Sequence, residues 1–149
     1  LHEKSLTQFL SYIGSKVEGL FVEIETNGTL FPNKDLLSLV SQFNVSPKLS
    51  NSGMTEKKRI CSSVIKSFNS IESSFFKFVI SKESDIYELQ HTLINPLSLR
   101  RDKICLMPAS SDKHTLDKVS LLVVNECLKY GYRYSSRLQL SLWDQTVGV

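Results

Sequence analysis

The residues best suited to chemistry in this chain stand in short polar groups, each following an apolar run. Glu25, Thr26 and Asn27 follow the first such run, and Ser46, Pro47 and Lys48 follow the second. A carboxylate beside a hydroxyl and an amide can grip a polar ligand such as a ribose or an amino-acid group. Read instead as a strand end and a turn, Thr26 and Asn27 bond their own backbone, and Asn27–Gly28 can enter the left-handed region. Pro47 either ends a strand or stiffens a loop that presents the Ser46 hydroxyl, where Lys48 can meet an anion. Met107, Pro108, Ala109 and Ser110 follow a further run, and the last stretch offers Arg137 and Gln139. Lys77 differs from these, because it lies inside an apolar run with Phe75, Phe76, Phe78 and Val79. A buried lysine is costly unless paired or hydrated. Either one face of that strand is wet, or Lys77 points into a polar barrel lumen.

Other chemistries find no anchor. His2, His91 and His114 are too scattered to form a ligand cluster, and His91 and His114 fall on expected helices. There is no Gly-rich phosphate loop, no G-x-S-x-G and no zinc spacing. The three cysteines, Cys61, Cys105 and Cys127, lack paired spacing, which argues for reduced thiols rather than a disulfide framework or a cluster loop. The 149 residues carry a formal charge of +3 with lysines dispersed, which gives no case for a nucleic-acid face. No apolar run reaches the ~18–20 residues of a membrane span.

The elements that must position these groups alternate in type. Helices are expected over 5–17, 35–40, 55–68, 83–94 and 112–130, the first stopped by Gly19 and the last by Gly131. Strands are expected over 20–25, 41–45, 74–80, 103–107 and 132–143, with Pro47 and Pro108 as stops. Alternation of strand and helix is the pattern of βα units and a parallel sheet in one α/β domain. Barrel, partial barrel and doubly wound sheet all fit it, and in each the ligand site lies just beyond the strand ends.

Several short strings, taken in order, resemble one family. They are Glu25–Thr26–Asn27–Gly28–Thr29, Ser46–Pro47–Lys48–Leu49, Phe76–Lys77–Phe78–Val79 and Leu106–Met107–Pro108. The segment 131–138 then runs into Leu142–Trp143 and a nearby C-terminus. Their order and spacing over nearly the whole chain are similar to 7-carboxy-7-deazaguanine synthases of the radical S-adenosylmethionine superfamily. That family carries a C-x-x-x-C-x-x-C loop and then Gly-Gly-Glu-Pro, and neither is present here. Leu1, His2 and Glu3 resemble the residues directly after Gly-Gly-Glu-Pro in that family. The expectation is therefore a C-terminal part whose N-terminal portion, with the first barrel strands, is missing.

The resemblance implies an incomplete βα barrel and a carbon–nitrogen lyase. Its reaction contracts the ring of 6-carboxy-5,6,7,8-tetrahydropterin to 7-carboxy-7-deazaguanine with loss of ammonia, toward queuosine. It implies S-adenosylmethionine, a [4Fe–4S] cluster and Mg²⁺, with the ligands of the cluster and of Mg²⁺ outside this chain. It further implies a cytoplasmic homodimer served by an electron donor such as flavodoxin, with no nucleic-acid or membrane partner. By position, Glu25, Thr26, Asn27, Ser46, Pro47, Lys48, Met107, Pro108, Ala109 and Ser110 match the cofactor-contacting strand ends. Ala109 and Ser110 depart from the family's acidic-glycine continuation. Val149, as the terminal residue, and Gln139, where the family often has His, match substrate-facing positions. Only His titrates near neutral pH. The Gln139 departure and the absent cluster motif together support a rival expectation, a non-catalytic remnant that binds a nucleotide-like ligand or a partner.

Overall fold

A computed structural model describes residues 3–146 of the chain. Helix α1 (Glu3–Gly14) precedes strand β1 (Glu23–Thr26). Then come α2 (Lys34–Leu39), capped by the Asn33 side chain, and β2 (Gln42–Val45). A short 3-10 turn leads into α3 (Glu56–Arg59) and α4 (Ser62–Asn69), followed by β3 (Ser74–Ile80). Helix α5 (Glu83–Glu88) widens into a π turn over Leu89–Ile94 and ends as α6 (Asn95–Leu97). The chain finishes with β4 (Ile104–Pro108), α7 (Lys113–Tyr130), β5 (Arg133–Tyr134) and α8 (Leu138–Trp143).

The strands form one sheet in the order β1-β2-β3-β4-β5, every neighbouring pair parallel. The sheet is not closed into a barrel, and an open sheet of sequential parallel βα units is consistent with part of one. Side chains alternate across a strand, and the two faces differ sharply. Phe43, Val45, Phe76, Phe78, Ile80, Ile104 and Leu106 share one buried cluster with Ile65, Phe68, Leu89, Leu93 and Val123 of the helices. The other face carries Glu23, Glu25, Asn44, Phe75, Lys77, Cys105 and Met107, and none of these is fully buried. A face with this many polar groups is not helix-packing surface, and it is the side on which Lys77 emerges.

Three expectations need correction. The last strand does not run over 132–143. It ends at Tyr134, and Gln139 lies on a helix, α8. The amide of Ser135 still bonds Leu106 O at 2.9 Å, but the next rung would need an N–H from Pro108, which has none. The helix expected over 55–68 breaks at Ile60 and Cys61, both extended, which lets Arg59 turn inward. The helix expected over 83–94 continues past Pro96. Proline cannot donate to Thr92 O, and the widened turn before it absorbs the mismatch. One buried charge is structural. Lys103 Nζ donates to Asn69 O and Ile71 O and so caps the end of α4.

Candidate functional site

The C-terminal ends of β1, β2, β3 and β4 surround a cavity of about 310 Å³. It is lined by Glu25, Thr26, Asn27, Ser46, Lys48, Lys77, Val79 and Met107. Six of the ten residues expected to face a cofactor therefore share one cavity, although they come from three separate βα units. Its size lies at the lower end of the range for small-molecule sites.

Each wall has a local cause. At β1, Thr26 Oγ1 accepts from Gly28 N at 3.2 Å, and Asn27 Oδ1 accepts from Thr29 N at 3.1 Å. These local bonds make the turn, as the backbone-bonding reading of Thr26 and Asn27 expects. Gly28 has φ +73, and a Cβ there would sit 2.8 Å from Val45 Cγ1 and 3.7 Å from Pro47 Cγ. The turn thus packs directly on the second wall. Ser46 N donates to Thr26 O at 2.7 Å, extending the β1–β2 ladder into the loop. Lys48 Nζ reaches Ser46 Oγ at 3.3 Å. Lys77 Nζ pairs with Glu25 Oε1 at 2.9 Å, bridging over β2 on the uncovered face. Lys77 lies on the uncovered face and lines the cavity, a position that fits both the wet-face and the lumen reading of that strand, and Lys77 and Val79 are the cavity residues that the positional match did not select.

The remaining expected residues lie elsewhere. Pro47 is buried behind the cavity wall. Pro108 is buried at the end of β4, and Ala109 N donates to Ile80 O at 2.7 Å. Ser110 Oγ bonds the backbone of Asp112, and Ser110 O accepts from Arg137 Nη1 at 2.6 Å. These contacts close the loop that starts α7. They do not face the cavity. Gln139 is exposed on α8, and Val149 lies outside the described residues. A second cavity of about 180 Å³ is lined mainly by apolar side chains, among them Leu6, Leu30, Phe31 and Phe68, with Glu3, Glu25 and Thr26 also on its wall.

Beneath the loop after β2 lies a group of buried charges with no signature in the sequence. Asp85 Oδ2 accepts from Ser81 N, Ser81 Oγ and Asn51 Nδ2 at 2.7, 2.6 and 2.8 Å. Burial of Asp85 works against its ionisation. The bonds from Ser81, Asn51 and Lys82 outweigh that and hold its carboxyl below the ordinary aspartate range. Arg59 Nη2 meets Glu88 Oε1 at 2.8 Å nearby.

Among the described residues no three His, Cys, Asp or Glu side chains converge as a metal site. Cys61 stands between α3 and α4, Cys105 in β4 and Cys127 in α7. Burial raises the Cys127 thiol to about 11 and also raises that of Cys105, so neither is poised as a thiolate ligand. The described residues therefore do not fit an iron–sulfur cluster. They do fit a polar organic ligand, for which carboxylate, ammonium, hydroxyl and amide groups stand around one cavity.

The chain is an α/β protein with an open sheet of sequential parallel strands, consistent with part of a βα barrel, and its polar cavity lies at the strand ends where such folds hold ligands. Comparison with known proteins narrows this. No family model matches the chain. The chain is 27% identical over 127 residues to the 7-carboxy-7-deazaguanine synthase of Pyrobaculum aerophilum, covering 85% of this chain and 54% of that protein. It is 25% identical over 146 residues to the 7-carboxy-7-deazaguanine synthase of Halobacterium salinarum, covering 85% and 55%. The resemblance read from the ordered strings is borne out at this level, and the chain spans about half the length of the curated relatives it matches. Among the described residues no helix is long and apolar enough to cross a membrane.

Proposed function

We propose that this chain forms the S-adenosylmethionine-facing side of a radical enzyme that makes 7-carboxy-7-deazaguanine from a carboxylated tetrahydropterin. The observation that carries the reading is the convergence of Glu25, Thr26, Asn27, Ser46, Lys48 and Met107 on one cavity. The similarity to two proteins of that name supports it. When bound, S-adenosylmethionine supplies the group that abstracts hydrogen from the substrate. The chain's own residues bind and orient it. Glu25 accepts from a ribose hydroxyl or the amino group, Ser46 and the adjoining backbone hold polar edges, and Lys48 meets the carboxylate. Met107 and Val79 supply apolar wall. The cluster, Mg²⁺, the pterin pocket, a homodimeric state and a flavodoxin-like donor belong to the same reading.

Two measurements test the proposal. Isothermal titration of the chain with S-adenosylmethionine is expected to show saturable binding, weakened about 10-fold or more by Lys48→Ala through loss of a charge-assisted bond. Anaerobic cluster reconstitution of the product of the complete reading frame, with the carboxy-tetrahydropterin present, is expected to yield 5′-deoxyadenosine. A second reading is favoured by the exposed position of Gln139 on α8, away from the cavity. It is a domain that binds a nucleotide-like ligand without radical chemistry. Binding without cluster formation or cleavage selects that reading, and absence of binding removes both.

A further inference from the structure

The loop that carries Ser46, Pro47 and Lys48 runs into the 3-10 turn Ser50–Ser52, and the two together are held at four successive residues, 48–51. Lys48 O accepts from Arg59 Nη1 at 3.1 Å. Leu49 is sunk into the core. Ser50 donates its N–H to Glu88 Oε1 and Oε2 at 3.1 and 3.0 Å, and its hydroxyl to Glu88 Oε2 at 2.5 Å. Asn51 Nδ2 donates to Asp85 Oδ2 at 2.8 Å and to Val79 O at 3.0 Å. The holding groups come from α3, just beyond the loop, and from α5, more distant in sequence. Val79 is itself part of the cavity wall, so Asn51 ties the loop to the end of β3.

We propose that Arg59, Glu88 and Asp85 are positioning residues that set the 46–48 loop for its ligand. The inference rests on the reading of this cavity as an S-adenosylmethionine site. Arg59 and Glu88 are only 7% and 14% exposed. Burying an ion pair costs desolvation, and an apolar pair of similar volume can serve the fold as well. Here Arg59 and Glu88 are directed at main-chain groups of the loop after β2, which lines the cavity, and Asp85 at the Asn51 side chain of the same loop. Arg59 bonds Lys48 O through Nη1 and Glu88 through Nη2, so the rigid guanidinium fork fixes the two partners relative to each other, which an ammonium on a flexible stem does not. Loop contacts bind tightly only where the loop is ordered beforehand, since ordering it on binding subtracts from affinity.

The test uses the full chain with two readouts, S-adenosylmethionine affinity by titration calorimetry and hydrogen exchange by residue. Glu88→Ala is expected to speed exchange at Ser50, Ser52 and Gly53 and to weaken binding about 10- to 100-fold, as for bonds to a charged group. Protection of the Phe78 and Leu106 amides in the core strands is expected to stay unchanged. Arg59→Lys, which keeps the charge but loses the fork, is expected not to rescue. Ser50→Ala and Asn51→Ala, at exposed positions off the cavity, are expected to weaken binding several-fold with the fold intact. They keep the test open if Glu88→Ala unfolds. Wild-type binding that all four variants leave unchanged overturns the clamp and spares the ligand reading. Loss of core and loop protection together in Glu88→Ala, with full binding by Ser50→Ala and Asn51→Ala, assigns a structural role only and also overturns it. A wild-type chain that binds no S-adenosylmethionine overturns both.

Discussion

Gly28 and Gly53 have nearly the same backbone conformation, φ +73 and +72, but very different surroundings. A Cβ on Gly53 meets nothing within 4 Å, whereas one on Gly28 meets Val45 Cγ1 at 2.8 Å and Ile65 Cγ1 at 3.8 Å. The left-handed cost alone, about 1–2 kcal/mol, therefore applies to Gly53→Ala. Gly28→Ala adds overpacking, for an expected loss of about 2–4 kcal/mol. Urea denaturation of the two variants measures the difference, and equal losses would show that the turn yields without displacing the second wall. Asp85 gives a pH-dependent counterpart. Its folded carboxyl is held below its ordinary value, so its contribution is present above about pH 4 and is lost as pH falls through the folded value. Asp85→Asn sets an amide donor against the Ser81 and Asn51 donors and is expected to cost about 1–3 kcal/mol at neutral pH. The gap between wild type and variant is expected to shrink as pH drops below about 4. A gap independent of pH would assign the cost to geometry rather than charge.

At the scale of elements, what the sequence reveals depends on whether one residue type permits a single backbone. Strands β2, β3 and β4 are legible because β-rich runs end at polar or proline positions. Helix α7 is legible because Asp112 caps its start, accepting from Thr115 N at 2.8 Å, and Gly131 ends it at φ +73. The segment 132–143 is ambiguous, since its alternating pattern also satisfies a short helix with Leu140 inward. Only the state of its partner decides, and Pro108 withholds the next rung. The site shows the same division. Glu25, Ser46 and Met107 are legible as strand-end residues, because parallel βα units bring strand ends together whatever the intervening length. Arg59, Asp85 and Glu88 are not, because a charged residue on a helix reads as solvated surface until the packing of a distant loop makes it internal.

At the scale of the whole molecule, the sheet order leaves β1 hydrogen-bonded on one side only among the described residues. An unpaired parallel edge offers a row of backbone donors and acceptors to any extended segment. The flank of that edge is also apolar, since Phe21 just before β1 is 65% exposed, and Phe9 and Tyr12 on α1 are exposed as well. Native edges are usually blunted by lysine, proline or a bulge, and β1 carries none of these, although Glu23 and Glu25 add charge on the uncovered face. Edge pairing between copies therefore gains both ladder bonds and apolar burial, opposed by the repulsion of those glutamates at low ionic strength. This chain by itself is expected to self-associate with rising concentration, and more strongly as salt screens Glu23 and Glu25. Phe21→Lys is expected to shift it toward monomer without loss of helical signal. Sedimentation velocity across concentration and salt reads both effects. A single monomeric species at every concentration would mean that the edge is blocked by other means, and association insensitive to Phe21→Lys would move the interface to another surface, such as the exposed Leu128 and Leu138 at the β5 end.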